Sequence, residues 1–191
     1  SEQTVASTDV IDLSSDKTNV NIGLILRNTF DLKVKKYVSK ITVTNDDKTK
    51  TYEQKENTTL AKAEIKSKNL NGSLVVIEYK IQIKNEGDVA GYARNVVDYM
   101  PSSLSFNSSM NPEWYLSGNN LYNTSLANTK IEAGETKVLT LVLTKKMTRT
   151  NTGTINNRAE IYESYNEQAI ADINSVPGNK KDGENDMDSV D

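Results

Sequence analysis

The chain has 191 residues, of which 36% are hydrophobic and 26% charged, so it can bury the core of one or two domains and is too apolar for wholesale disorder. Its 23 basic and 26 acidic residues leave a net charge of -3, which gives no global pull toward nucleic acid or an anionic membrane. The absence of both His and Cys removes Ser-His-Asp and Cys-His catalysis, imidazole and thiolate metal sites, haem ligation and disulfides, and leaves only hard, oxygen-liganded metals such as calcium or magnesium.

The first residue is Ser, no charged-then-apolar leader follows it, and no apolar run approaches the roughly 18 residues of a spanning helix. The expectation is a piece excised from something longer. Residues 1–29 read as a polar linker and leading segment whose apolar end, Val20 to Leu26, tucks onto the domain that follows. From there Val, Ile, Thr and Tyr alternate with polar residues in short runs, most clearly over Phe30 to Val38, Val75 to Ile83, Lys137 to Leu143 and Thr154 to Tyr162, which predicts strands. Leu60 to Lys68 fits a short helix or a strand equally well. Turn-forming clusters separate the runs at Asn45 to Asp47, Asn69 to Gly72, Asn85 to Asp88, Ser117 to Asn120 and Ala133 to Glu135. The fold class expected is all-β, an antiparallel sandwich over residues 30–176. Residues 177–191, charged, Gly-rich and without periodicity, read as a polar tail.

Strand side chains alternate between faces, so a polar residue in phase with the apolar set is aimed at the core. Phe30, Leu32, Val34 and Val38 share a phase that includes Lys36, and Ile155, Ala159 and Ile161 share one that includes Asn157. Val96 and Met100 share a phase with Asp98, although Val97 and Tyr99 make the opposite face an equal candidate for burial. A buried Lys is either neutralised by a carboxylate or shifted toward the free amine, and a free amine is a nucleophile. Beside Asn157, the Lys36 amine would attack the side-chain amide carbon while a protonated Asp98 polarised the carbonyl and passed a proton to departing ammonia. The product is an intramolecular isopeptide bond, formed without a cofactor and favoured by the effective concentration that folding supplies. A buried Lys-Asp ion pair capped by an Asn amide, or a Lys that snorkels to water from a strand end, fits the same pattern without any reaction.

Phe30-Asp31-Leu32-Lys33-Val34-Lys35-Lys36-Tyr37-Val38, Glu78 to Ile81 leading to Asn85-Glu86-Gly87-Asp88-Val89-Ala90-Gly91-Tyr92-Ala93, and Val97-Asp98-Tyr99-Met100-Pro101 form an ordered set of motifs. It continues through Ala133 to Lys137, Asn157 to Ile161 and Asp172 to Asn179. This set resembles the Ig-like isopeptide-forming domains, of the collagen-adhesin A type, found in cell-wall-anchored surface proteins of Gram-positive bacteria. The resemblance covers most of residues 20–190. It implies an Ig-like sandwich, a bond between Lys36 and Asn157 assisted by Asp98, and a non-enzymatic stalk or adhesin module outside the cell, at the wall surface. It further implies neighbouring domains of the same protein and a host or cell-surface ligand as partners, with a monomeric module that touches neither nucleic acid nor membrane. Arg158 stands where the pattern usually has Thr, and Asn174 where a second Asp is common. The second departure weakens a metal site.

Asp172, Asn174, Glu184 and Asp186 offer alternating oxygen side chains of the kind calcium takes, but they lack the Gly and closing Glu of the twelve-residue helical-hand loop, and a solvated acidic tether is the plainer reading. A glycosidase would need a carboxylate pair such as Glu64 and Glu78, and nothing places any pair at working distance. The triplets Asn57-Thr58-Thr59, Asn107-Ser108-Ser109 and Asn123-Thr124-Ser125 match the N-glycosylation pattern by composition alone. Trp114-Tyr115 is read as a plug at one end of the sandwich rather than an exposed stacking platform. The competing functional expectation is a ligand-binding adhesin domain, for sugar or host protein, in which the three core polar residues never react.

Overall fold

The computed structural model describes residues 28–191 other than 47, 57 and 59, so the apolar stretch Val20 to Leu26 lies outside the described residues. Among the described residues ten strands form in chain order: β1 (Leu32–Asn45), β2 (Lys48–Glu53), β3 (Leu74–Asn85), β4 (Tyr92–Tyr99), β5 (Ser105–Phe106), β6 (Trp114–Ser117), β7 (Asn120–Asn123), β8 (Thr136–Lys146), β9 (Asn157–Tyr165) and β10 (Met187–Val190). They make two five-stranded sheets, ordered β2-β1-β3-β8-β5 and β10-β9-β4-β7-β6, with every strand pair antiparallel. The protein is therefore an all-β sandwich, as its alternating pattern predicts. Among the described residues no helix is long and apolar enough to cross a membrane.

Each sheet buries one phase of its strands. In β1 the residues Leu32, Val34, Lys36 and Val38 point inward, and in β3 so do Val75, Ile77, Tyr79, Ile81 and Ile83. β1 runs seven residues beyond the periodic stretch that ends at Val38. A bulge at Ser39 moves the inward set from even to odd numbers, so burial resumes at Ile41 and Val43. The Ser39 hydroxyl holds the bulge by donating to the Glu78 carboxylate at 2.7 Å.

Three connections depart from a plain reading of the sequence. Leu60 to Lys68 is mostly a strap that pairs with no strand: Ala61, Ala63 and Ile65 alternate inward against the core, and a single helical turn (α1, Ser67–Leu70) follows. Alternation of this kind reports a half-buried extended chain whether or not a ladder forms. Phe30, one bridge ahead of β1, pairs with Asp172 and packs on Gly91, where a Cβ would come within 2.2 Å of the ring. Residues 177–191 are no simple polar tail. Met187–Val190 adds an edge strand to β9, while the Val34 N–H donates to the Asn185 carbonyl (2.8 Å) and the Ile161 N–H to the Asp186 carbonyl (2.8 Å). β2 pairs with β1 only from Lys40 onward, so the first half of β1 is a free edge, and the C-terminal segment closes it by bonding to both sheets.

Candidate functional site

Asp98 and Asn157 lie on the inner face of one sheet. Asp98 sits directly opposite Ala159 across the β4–β9 ladder, and Asn157 is two residues from Ala159, hence a diagonal same-face neighbour. Lys36 comes from the facing sheet, opposite Ile81 in the β1–β3 ladder. All three are withdrawn from water: Lys36 is 3% exposed, Asp98 and Asn157 0%. The Lys36 Nζ meets the Asp98 carboxyl in a very short contact and stands 4.8 Å from the Tyr79 ring centroid. The ambiguity over which face of β4 is buried resolves because both are: Val96, Val97 and Asp98 are each fully covered.

Burial is the strongest influence on both charged partners. It drives the Lys36 amine below its ordinary value, against the opposing pull of the Asp98 and Asp188 carboxylates. It drives the Asp98 carboxyl up, against the attraction of Lys36 and the Asn157 amide. Both displacements favour the neutral forms, amine beside carboxylic acid. Tyr79, raised by burial and then by the Asp98 charge, stays a neutral phenol.

The Asn157 amide differs from its neighbours. It is close enough to Asp98 and Tyr79 to influence how both titrate, yet neither its oxygen nor its nitrogen makes a hydrogen bond of good geometry. The second oxygen of Asp98 is also without a partner. Groups left this way in a dry interior carry a penalty of about 1–3 kcal/mol each. An amine, a carboxylic acid and a carboxamide buried together have the functional groups that an amide exchange requires.

Two participants have no signal in the three-residue pattern. Tyr79 is in phase with the core of β3, so its position was readable, but its place beside Lys36 depends on how the sheets stack. Asp188 comes from β10, and its carboxylate accepts the Lys36 backbone N–H at 2.7 Å. This bond fixes the β1 backbone at Lys36 and carries the closing segment over the site.

The remaining candidates separate. Asp172 accepts from the Leu32 N–H and the Ser175 hydroxyl, Glu184 from the Val176 N–H, the Asn179 amide and Lys181, and the Asn174 amide reaches Asp31. Asp186 is 1% exposed and has no hydrogen-bond partner on either oxygen. Among the described residues no three acidic side chains form a ready metal cage. Glu78 is held by Ser39, Lys40 and Lys80. Asn123 of the third glycosylation triplet is buried, and its oxygen caps Ser125. Trp114 is buried with its indole N–H donating to the Thr140 carbonyl, whereas Tyr115 is 48% exposed and stacks on Tyr122. Comparison with family models, with curated proteins and with solved structures found no match to this chain.

Proposed function

We propose that this domain is a structural module of a bacterial surface protein, a stalk or adhesin segment, stabilised by a spontaneous isopeptide bond between Lys36 and Asn157. The Lys36 Nζ attacks Cγ of Asn157, a C–N bond forms, the bond to Nδ2 breaks, and the nitrogen leaves as ammonia. Asp98 lends its proton to the carbonyl oxygen as the tetrahedral centre forms and moves the amine's proton to the leaving group. No substrate is turned over. The observation that carries this reading is the cluster itself: Lys36 and Asp98, fully withdrawn, in contact and both biased to their neutral forms, with the equally buried Asn157 amide beside Asp98.

The link would join the first long strand of one sheet to β9 of the other, closing a ring of 121 residues between positions 36 and 157. By the chain-entropy argument used for disulfides, so long a closure stabilises by about 5 kcal/mol. In a chain without Cys it supplies the staple that a disulfide would otherwise provide. Tension applied through the chain ends would load the covalent ring before the sheets unzip, which suits a stalk. Placement outside the cell at a Gram-positive wall rests on the sequence resemblance.

The deciding measurement is the intact mass of the folded chain. The proposal expects a deficit of one ammonia, abolished in Lys36→Met. Full mass in the folded wild-type protein would reduce the cluster to an unreacted ion pair and favour a binding module without a cross-link.

A further inference from the structure

β8 carries a second lysine in the inward phase. Leu139, Leu141, Leu143 and Lys145 alternate toward the core, and Lys145 is only 8% exposed. Unlike Lys36 it meets no carboxylate: among the described residues it makes neither an ion pair nor a hydrogen bond. It lines instead a cleft of about 360 Å³, where β3 begins and β8 finishes. Val38, Ile41, Val75 and Ile77 form the floor, and the strap that pairs with no strand forms one wall through Ala61, Ala63 and Ile65. Two of these three inward strap residues are Ala, whose methyl groups leave open the space that a longer side chain would fill. The acids at the rim, Glu64 and Asp191, are exposed; the Asp191 carboxylate accepts from the Asn156 amide, and neither acid pairs with Lys145.

A lysine stem buried in phase with leucines ordinarily ends on a carboxylate or in bulk water. Lys145 ends in an apolar cleft whose volume falls within the range of small-molecule sites, about 300–1,000 Å³. We propose that this cleft binds a medium-chain monocarboxylic acid, its carboxylate on the Lys145 ammonium and its acyl chain along Val38, Ile41, Val75 and Ile77 beneath the strap. The ligand is an anion because the charged side chain drawn into the wall is a cation without a counter-charge. Its body is hydrocarbon because the floor and the strap are hydrocarbon: a sugar or an extended peptide would leave hydroxyls or main-chain groups unpaired against them, at a cost an acyl chain does not incur. Binding there requires no reaction between Lys36 and Asn157.

The test is calorimetric titration of the full chain with hexanoate, octanoate and decanoate below their micelle-forming concentrations. Each added methylene is expected to tighten binding about fourfold, the worth of one buried CH₂. Decanoate is expected to bind at least about tenfold more tightly than decanol, because only the acid makes a charge-assisted bond to Lys145. Lys145→Met keeps the apolar stem and is expected to lose that preference while retaining the dependence on chain length. Ala63→Leu fills the space beneath the strap and is expected to lose both, with a thermal melt checking that each variant is folded. Absence of saturable decanoate binding, equal affinity for decanol, or an undiminished carboxylate preference in Lys145→Met would overturn the proposal. So would self-association in sedimentation that decanoate does not reverse and Ala63→Leu abolishes, which would give the cleft to a second copy of the chain.

Discussion

The domain contains two buried polar clusters of opposite construction. Around Lys36 a cation, an acid and an amide share one apolar pocket, so proton exchange between neighbours can neutralise it from within. Around Asp186 the neighbouring charges are all negative, and burial followed by Glu160, Glu184 and Asp172 pushes its carboxyl up to about 7, so near neutral pH it is relieved by a proton rather than by an ion pair. Burial alone does not decide what a polar cluster does. Complementary groups can settle the cost between themselves, whereas like charges settle it by taking up a proton.

Breaking the first cluster is expected to have the largest effect. Lys36→Met keeps the volume and removes the amine, so the ring between 36 and 157 cannot close. The expected loss is about 5 kcal/mol, a fall of roughly 10–20 °C in melting temperature, with the full uncyclised mass. Asp98→Asn should retain full mass as well, because the nucleophile is present but the proton carrier is gone. Calorimetry paired with mass spectrometry distinguishes the two arms: a large destabilisation with the ammonia already lost would mean that packing, not the bond, is what the substitution removed.

A second buried amide sharpens the contrast within the same sandwich. Asn85 is fully buried like Asn157, but its nitrogen donates to the Val89 and Ile131 carbonyls at 2.8 and 2.9 Å and its oxygen accepts the Gly87 N–H. It is a satisfied structural amide. Asn85→Ala strands these groups and is expected to cost about 3 kcal/mol by denaturant titration while leaving the mass deficit intact. A variant that abolished the deficit would show that the cross-link depends on the β3–β4 turn rather than on the three core residues.

How far the sequence carries this picture depends on where periodicity stays local. The inward phase of Lys36 and Asn157 is legible because each sits in an alternating run, and both are buried as that phase predicts. The second half of β1 is obscured because the Ser39 bulge swaps the phase in mid-strand. Asn85 reads as part of a turn because it is the last inward residue before one. β10 is hidden for a different reason: Met187-Asp188-Ser189-Val190 is four residues long, mostly polar, and becomes a strand only because β9 offers an unpaired edge. Asp188 reaches Lys36 through that long-range pairing, which no local pattern encodes.

Asp188 gives a smaller test. Its carboxylate accepts the Lys36 N–H and its charge favours the protonated amine, so it positions the backbone while opposing the neutral form the reaction needs. Asp188→Ala is expected to lower stability by about 1 kcal/mol and to leave the ammonia deficit complete. Persistence of the starting mass would move Asp188 from positioning into the proton pathway.

The smallest expected effect lies outside both clusters, at Glu78. Partial burial pushes its carboxyl up, but the Ser39 hydroxyl and the Lys80 and Lys40 ammonium groups outweigh this and hold it below the ordinary 4.5. A carboxyl depressed in the folded state contributes stability that is present above its unfolded value and disappears as pH falls through the folded one. Water screens these partners, so Glu78→Gln is expected to cost no more than about 0.5 kcal/mol at pH 7 and nothing near pH 2. The same substitution keeps a side-chain oxygen that can accept from the Ser39 hydroxyl, which also reaches the Glu78 main-chain carbonyl at 3.1 Å, so the bond that holds the bulge is expected to survive across the titration. Urea titrations of wild type and variant across that range separate the two. A difference that vanishes at low pH assigns it to the ion pairs, whereas one that persists assigns it to the bulge that turns the second half of β1 back toward the core.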